Sequence, residues 1–231
     1  MKLNHTDWDG AHDSIHEKGF YILEGILNKK ECKEIIQLYG ESKHFRKTIL
    51  MERYRFGLGE YKYLQYPLPE MIGTLRKYLY QHLYAVANKW SDVLDDSLKY
   101  PSSHDDFIKI CQSNNQSLAT PLILKYGEGG HNTLHQDLYG DIYFPLQAVV
   151  FLNEPGEDYT GGEFVLTEQV PRAQSKAIVL KPKQGDILIF TTQFRPKKGV
   201  RGYYRVNMKH GVSAVHSGSR HTLGIIFHDA Q

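Results

Sequence analysis

Four side chains in the second half of the chain have the types and the spacing that could do chemistry. His135 and Asp137 are separated by one residue, His210 follows farther along, and Arg220 lies ten residues after it. Two imidazoles and one carboxylate form the ligand set of non-haem iron(II) sites that keep open coordination positions. An arginine suits an anionic cosubstrate, because its planar guanidinium pairs bidentately with a carboxylate. The set therefore indicates an oxygen-activating metal enzyme rather than a structural metal site.

The triplet His135-Gln136-Asp137 predicts its own geometry. In a strand, residues i and i+2 point to the same face, so the histidine and the aspartate would project together and the glutamine would point away. Taken alone, the triplet favours an ordinary hydrogen-bonded histidine, because the chain has 12 histidines and such triplets arise by chance. The residues farther along the chain are what favour a metal ligand.

Residues 210–227 predict two strands joined by a reversal, because the turn-forming Ser217-Gly218-Ser219 separates two apolar runs. The reversal would bring Arg220 back beside the strand that carries His210. His216 is the alternative third ligand, but it would leave less room for a dicarboxylate between the metal and the guanidinium, so we favour His210. Other nearby histidines are interpreted as hydrogen-bonded polar residues: His131, His221 and His228.

Several segments after residue 117 carry a resemblance to a known superfamily. They stand in the expected order: Leu122–Tyr126, Gly127–Gly130, Gly161–Leu166, Pro182–Phe190 and His210–Arg220. With the His-x-Asp triplet, they resemble the Fe(II)- and 2-oxoglutarate-dependent dioxygenases over about residues 118–230. The closing segment Gly224–Ala230 is similar to a bacterial group within that superfamily that is described as oxygenases acting on damaged DNA.

The resemblance implies a role for each of the chemically competent residues. His135, Asp137 and His210 would bind Fe(II) and form the catalytic centre. Arg220 would bind the distal carboxylate of 2-oxoglutarate, and Tyr126 would assist it. The cosubstrates would be 2-oxoglutarate and O2, ascorbate would be the reductant, and succinate and CO2 would be released.

The pattern of the chain changes near residue 118. Residues 1–117 predict a mostly helical layer, with one helix capped by Asn28 and a second, after Pro67-Leu68-Pro69, that carries a wide apolar stripe. Residues 118–231 predict a core of eight short strands, at 121–126, 133–138, 146–153, 163–167, 177–181, 186–192, 204–210 and 221–228. We expect one domain over residues 1–231, mainly β with a helical buttress, whose core is a double-stranded β-helix of the jelly-roll type.

Composition indicates the cellular compartment of the protein but says little about its binding partners. The formal charge of +2 says little about a partner, and the chain shows no apolar run of membrane-spanning length. The two cysteines, Cys32 and Cys111, lack metal-type spacing and are interpreted as free thiols in a reducing compartment. These features predict a cytoplasmic protein with no membrane partner.

Two aromatic segments bear on the substrate. Residues 195–205 combine five basic residues with two tyrosines and run into the strand of His210, so we expect them at the mouth of the site. We favour a solvated loop there, and a contact with nucleic acid is the alternative. Residues 54–66 are rich in tyrosine and glycine, and we interpret them as aromatic packing rather than as a substrate lid. The candidate contact residues are Arg195, Lys197, Lys198, Arg201, Tyr203 and Tyr204.

The expected activity is therefore hydroxylation or oxidative demethylation of a C–H bond. The substrate could be a modified nucleic acid, a protein side chain or a small molecule, since specificity in such folds lies in loops rather than in the metal motif. Two other classes remain as alternatives, a cupin-type metalloenzyme and a non-catalytic binding module. The position of Arg220 disfavours the first, which needs no carboxylate anchor there, and the complete set of four residues disfavours the second.

Overall fold

The computed structural model describes residues 1–3 and 6–231. Its α-helices are α1 Trp8–Lys18, α2 Lys29–Leu38, α3 Glu70–Val93 and α4 His104–Ser113. The strands of the first half are β1 Phe20–Leu23, β2 Phe45–Leu50, β3 Gly57–Leu58 and β4 Glu60–Leu64. Those of the second half are β5 Leu122–Tyr126, β6 His131–His135, β7 Leu146–Phe151, β8 Tyr159–Gly161, β9 Phe164–Gln169, β10 Lys176–Leu180, β11 Ile187–Thr191, β12 Phe194–Gly199, β13 Gly202–Val212, β14 Val215–Gly218 and β15 Arg220–Ile226.

The two predicted helix starts are confirmed, and the first of them carries a side-chain cap. Asn28 accepts a hydrogen bond from the Glu31 amide at 2.9 Å, and Glu31 accepts one from the Asn28 amide at 2.9 Å, which is a capping box. Helix α3 begins directly after Pro69, as predicted. Its apolar stripe is buried and forms much of the main core: Ile72, Leu75, Leu79, Leu83, Val86 and Trp90.

Two antiparallel sheets form the body of the fold. One has the order β1-β11-β7-β15-β5-β4-β2, and the other has the order β10-β9-β13-β6-β3, with β12 added beside β13. The two sheets remain separate over the described residues and do not close into a barrel. The expected mainly β, jelly-roll architecture with a helical buttress is thereby confirmed.

The sheets enclose one core and the helices cover another. Between the sheets, Val149, Phe151 and Phe190 of the seven-stranded sheet pack with Phe164 and Leu166 of the six-stranded sheet. The opposite face of the seven-stranded sheet packs against α3 and α4. The cavity at the edge of this core is lined by apolar core residues and by the polar residues that could do chemistry. Those polar residues are His135, Asp137, His210 and Arg220.

The first half of the chain contributes more than helices. Strands β1, β2 and β4 extend the seven-stranded sheet, and β3 pairs with β6 in the other sheet. The sequence analysis missed these strands because they have only two to six residues each, too few for a clear alternation of apolar and polar positions. Within residues 1–3 and 6–231, the helices all fall short of the length and apolar character that a membrane span requires.

Candidate metal centre

Strand register places two imidazoles next to each other, with their rings tilted by 51°. His135, the last residue of β6, is the direct antiparallel partner of His210 on β13, and their ring centroids are 4.1 Å apart. Asp137 follows β6 after one residue and returns to the same side as His135. A register shift in β13 directly after His210 ends the regular pairing at this point.

The three side chains converge closely enough to bind one ion. His210 Nε2 lies 3.1 Å from Asp137 Oδ2, and His135 Nε2 lies 3.5 Å from Asp137 Oδ1. Adjacent ligands of one octahedral ion, at about 2.1 Å from it, are about 3 Å apart. Across the described part of the chain, this is the one group of three such residues whose ligand atoms all lie within 4.8 Å of one another, and it does not include His216.

The electrostatics of the group favour a cation. Burial alone would raise the pKa of Asp137, but His210, His135 and the Tyr139 hydroxyl outweigh it and hold that pKa well below its usual range. Burial and the neighbouring His210 lower the pKa of His135. A carboxylate that stays ionised beside a neutral imidazole offers lone pairs to a metal ion, as metal binding requires.

Neighbouring groups hold two of these side chains in place. His135 Nδ1 lies 2.7 Å from the Thr133 carbonyl oxygen, which directs Nε2 towards the centre. The Tyr139 hydroxyl donates a hydrogen bond of 3.0 Å to Asp137 Oδ1, and the Tyr63 hydroxyl donates one of 3.2 Å to Tyr139. The sequence analysis missed both tyrosines. The position of Tyr139, two residues after Asp137, was a signal for the first, whereas nothing local marked the second.

Arg220 is buried without a hydrogen-bond partner. It is 1% exposed, and none of its three guanidinium nitrogens finds an acceptor among the residues that the structure describes. Three rings surround it instead, with centroids 5.5 Å away for Tyr126, 5.4 Å for Phe151 and 5.9 Å for Tyr159. Tyr126 is also its direct partner in the β15–β5 register. A buried charge is costly unless it is paired, so this guanidinium is suited to an anionic ligand.

One cavity joins the metal group to the arginine. It has a volume of about 250 Å³, and its walls include the three clustered side chains and Arg220. Asn132 and Thr222 add polar atoms that the sequence analysis did not single out. The Asn132 amide donates a weak hydrogen bond of 3.4 Å to the Tyr126 hydroxyl, on the arginine side of the cavity. The other walls are largely apolar, including Phe164, Phe190, Val149 and Val212.

The residues present fit an iron ion and a dicarboxylate. Two imidazole nitrogens and a carboxylate are the donors that ferrous sites use. The unpaired guanidinium in the same cavity supplies two parallel N–H groups for a carboxylate, which 2-oxoglutarate would present. The fit rests on the donor set of His135, Asp137 and His210 and on the orphaned nitrogens of Arg220.

The other histidines of the region have ordinary partners. His131 Nδ1 lies 3.1 Å from the Gly129 carbonyl oxygen. His221 contacts Asn153 Oδ1 at 3.1 Å, and burial lowers its pKa to about 4. His228 Nδ1 accepts a hydrogen bond of 3.1 Å from the Phe144 amide, and burial lowers its pKa to about 3. Their interpretation as polar residues outside the metal group agrees with these contacts.

The structure does not bring the basic residues 195–205 to the cavity. None of the six candidate contact residues lines it. They lie on the β12–β13 hairpin, and β13 has 11 residues, so Tyr203 is about 23 Å along the strand from His210. Arg195 is buried and paired with Glu168 at 2.7 Å, while Tyr203 packs 5.9 Å from His16 of α1. The expected position at the mouth was wrong, because adjacency in sequence along a long strand is not adjacency in space, and a contact of these residues with nucleic acid stays a prediction. The six candidate contact residues that do not line the cavity are Arg195, Lys197, Lys198, Arg201, Tyr203 and Tyr204.

Residues 54–66 show the opposite result. Phe56, Tyr61 and Tyr63 line the cavity, so this segment contributes to the site and is not only packing. Strand pairing explains why this segment reaches the cavity. β4 pairs with β5, the strand of Tyr126, and β3 pairs with β6, the strand of His135. Long-range strand pairing of this kind leaves no local signal in a single sequence.

Comparisons with known proteins agree with this geometry. A family model, Oxygenase-NA, described as "Oxygenase, catalysing oxidative methylation of damaged DNA", matches residues 59–230. Two curated Mycobacterium tuberculosis proteins, from strains CDC 1551 / Oshkosh and ATCC 25618 / H37Rv, are each 44% identical over 164 residues. Those matches cover 71% of this chain and 70% of each relative, and both relatives are described as uncharacterized.

Solved structures share the fold at low identity. A prolyl-4-hydroxylase of Pseudomonas putida matches with a TM-score of 0.57 and 12% identity, covering 97% of this chain and 99% of its own. A 2OG-Fe(II) oxygenase family oxidoreductase of Burkholderia pseudomallei matches with a TM-score of 0.56 and 14% identity, covering 100% and 96%. At these identities the likeness shows the fold alone.

Proposed function

We propose that this chain, which belongs to the Oxygenase-NA family, is a 2-oxoglutarate- and Fe(II)-dependent oxygenase that oxidises a C–H bond of damaged DNA. In this proposal His135, Asp137 and His210 hold the iron, and Arg220 with Tyr126 holds the cosubstrate. The observation that carries the assignment is the unpaired, buried guanidinium of Arg220 in the same cavity as the histidine–aspartate group. The damaged-DNA substrate rests on the description of the family.

The bound iron, with 2-oxoglutarate and O2, would supply oxidation of an unactivated C–H bond coupled to release of succinate and CO2. The protein supplies position. Tyr139 fixes Asp137 Oδ1 by its hydrogen bond, which leaves Oδ2 facing His210 and the metal position. Arg220 and Tyr126 belong to the other sheet and line the same cavity, where they would bind the far carboxylate of the cosubstrate.

The apolar walls of the cavity disfavour water inside it. Phe164 stacks on the His210 ring at 5.9 Å, and Phe190 contacts it edge-on at 4.8 Å. Exclusion of water strengthens the ion pair between Arg220 and a carboxylate, and it keeps a reactive centre from side reactions. Ascorbate would keep the iron ferrous, and a reducing cytoplasm would also keep Cys32 and Cys111 as the free thiols that the structure contains.

The test measures succinate from 2-oxoglutarate by purified protein with Fe(II) and ascorbate. Oligonucleotides bearing methylated bases, peptides and metabolites are added as separate pools, and a methylated oligonucleotide pool is expected to raise succinate release. Asp137→Ala should abolish that release, whereas Asp141→Ala, an exposed aspartate in the same loop, should retain it.

Wild-type turnover by Asp137→Ala would overturn the metal assignment. Stimulation by peptides or metabolites alone would overturn the substrate but leave the enzyme class intact. A protein that binds metal tightly yet releases no succinate under any condition would be a cupin-type enzyme or a binding module instead.

A further inference from the structure

Large apolar side chains are exposed around the mouth of the cavity. Ten large hydrophobic side chains are exposed in the described residues. Half of them lie in two short segments on or next to β6, the strand that carries His135: Tyr54, Phe56, Leu58, Leu134 and Leu138. Phe56 and Leu138 also line the cavity. Exposed apolar side chains at a cavity favour a place where a partner binds.

Two of these side chains form an open aromatic platform. The rings of Tyr54 and Phe56 stack with centroids 5.5 Å apart and an interplanar angle of 19°. Tyr54 is 52% exposed and Phe56 is 44% exposed, so the pair presents ring faces and edges to solvent. Such a pair can continue its stack with a planar group of a ligand.

The Tyr54–Phe56 pair is joined by hydrogen bonds to β6, the strand that carries His135. The Phe56 carbonyl accepts hydrogen bonds from the Thr133 amide at 2.8 Å and from the Thr133 hydroxyl at 2.9 Å, two residues before His135. Gly57 pairs with Asn132 at a φ of 137°, where a Cβ would lie 2.2 Å from the His131 carbonyl oxygen, so only glycine allows this approach. The rings are therefore held at a fixed position relative to the metal centre.

Positive charges flank the rings. Arg53 and Arg55 alternate with Tyr54 and Phe56, and all four side chains are exposed. Neither guanidinium is within ion-pair distance of a carboxylate among the described residues, although Glu52 precedes them directly. Exposed arginines next to stacked rings complement a ligand that carries both planar groups and negative charges.

We propose that residues 53–58, the rim segment, bind an unpaired stretch of nucleic acid and deliver one of its nucleotides to the cavity. A base would continue the Tyr54–Phe56 stack, and Arg53 and Arg55 would contact the phosphates. Alternating aromatic and basic side chains are the pattern by which proteins bind single strands, since every base has a flat face and every nucleotide a phosphate. A duplex would bind less tightly, because its bases must first leave the helix. This inference rests on the proposed function, which supplies the reaction at the metal.

The test is fluorescence anisotropy of labelled oligonucleotides with the full chain in the presence of Mn(II) and 2-oxoglutarate. The probes are a single DNA strand of about 12 nucleotides, the corresponding RNA strand, the DNA duplex and a peptide of similar length. The two single strands distinguish DNA from RNA as the source of the unpaired nucleotides, and the peptide covers the other class of partner.

Two double variants separate stacking from charge. Tyr54→Ser/Phe56→Ser should raise the Kd for the single strand roughly ten- to a hundredfold, the loss expected for base stacking. Arg53→Gln/Arg55→Gln should weaken binding and make the slope of log K against log salt shallower by about 1.4, since each phosphate contact contributes about 0.7. The control is Lys198→Gln/Arg201→Gln, which removes two exposed charges from the remote hairpin and should leave binding unchanged.

The outcomes are distinct from those of the proposed function. Single-strand binding that both rim variants leave unchanged, or that the hairpin control removes, would overturn the role of the rim segment. Equal affinity for duplex and single strand, or binding of the peptide alone, would overturn the unpaired nucleic-acid ligand. A wild-type protein that binds the strand through the rim but releases no succinate would leave this inference intact and refute the oxygenase assignment of the site.

Discussion

Replacement of Arg220 by methionine should make the protein more stable without cosubstrate and unable to respond to it. Arg220 is 1% exposed and has no hydrogen-bond acceptor among the described residues. An uncompensated buried charge costs several kcal/mol, and the three rings at 5.4–5.9 Å offset about 1 kcal/mol each. Methionine fills irregular space without a charge, so we expect the unfolding free energy to rise by about 1–2 kcal/mol.

The same substitution should reduce the stabilisation of the folded state by 2-oxoglutarate. A ligand at a hundred times its Kd stabilises the folded state by about 2.7 kcal/mol. Loss of a buried guanidinium–carboxylate pair costs about 3–5 kcal/mol, which raises the Kd for 2-oxoglutarate by at least about 150-fold. At the same concentration, the stabilisation of Arg220→Met should then fall below about 0.3 kcal/mol.

Thermal unfolding with Mn(II), with and without 2-oxoglutarate, measures both effects. For a chain of this length, a rise of 1–2 kcal/mol corresponds to a Tm about 2–8 °C higher. Arg195→Met is the matched control, because Arg195 is also buried but is paired with Glu168 at 2.7 Å. This variant should be destabilised and should keep the full response to 2-oxoglutarate. If Arg220→Met melts below the wild type and still responds to 2-oxoglutarate, the anchor assignment is wrong.

Three further perturbations follow from the structure. Tyr139→Phe removes the hydrogen bond to Asp137 and should weaken Mn(II) binding about ten- to a hundredfold in titrations, whereas Tyr143→Phe should not; equal affinities would remove Tyr139 from the site. Burial and the nearby Arg76 lower the pKa of His104 to about 3, so below the unfolded-state value of 6.5 unfolding takes up a proton and stability is lost as pH falls. The free energy of unfolding should drop by about 2 kcal/mol between pH 8 and pH 5 through this residue, and His104→Gln should show a correspondingly shallower dependence in urea titrations. Residues 118–231 alone should not unfold cooperatively, because β4 and α3 of the first half complete the sheet and its core; a sharp calorimetric transition would show that this part is an independent domain.

The closeness of His135 and Asp137 was predictable because it is local in the chain. The predicted two-residue period put His135 and Asp137 on one side, and they lie close together although β6 ends at His135. The predicted return of Arg220 to the strand of His210 was wrong, because β15 pairs with β5 and β7 in the other sheet. The choice of His210 over His216 also followed from a local argument about space for a dicarboxylate. The direct pairing of His135 with His210 did not, since register between distant strands is set by the whole sheet.

The substrate side was not predictable for the same physical reason. The basic hairpin was placed at the mouth by its closeness in sequence to His210, but an 11-residue strand carries it away. The rim segment lies far from His135 in sequence, yet β3 pairs with β6 and places Phe56 at the cavity. Composition identified both segments as aromatic, and only the long-range pairing distinguishes the one that reaches the site.

The candidate site residues are distributed over both sheets. The histidines belong to the six-stranded sheet, through β6 and β13, whereas Arg220 and Tyr126 belong to the seven-stranded sheet, through β15 and β5. Facing sheets are held about 10 Å apart by the side chains between them, and here Phe190 of one sheet packs directly on His210 of the other. The distance between the two histidines and Arg220 is therefore set largely by the packing between the sheets. If the proposed function is correct, the packing between the sheets would select the length of the dicarboxylate.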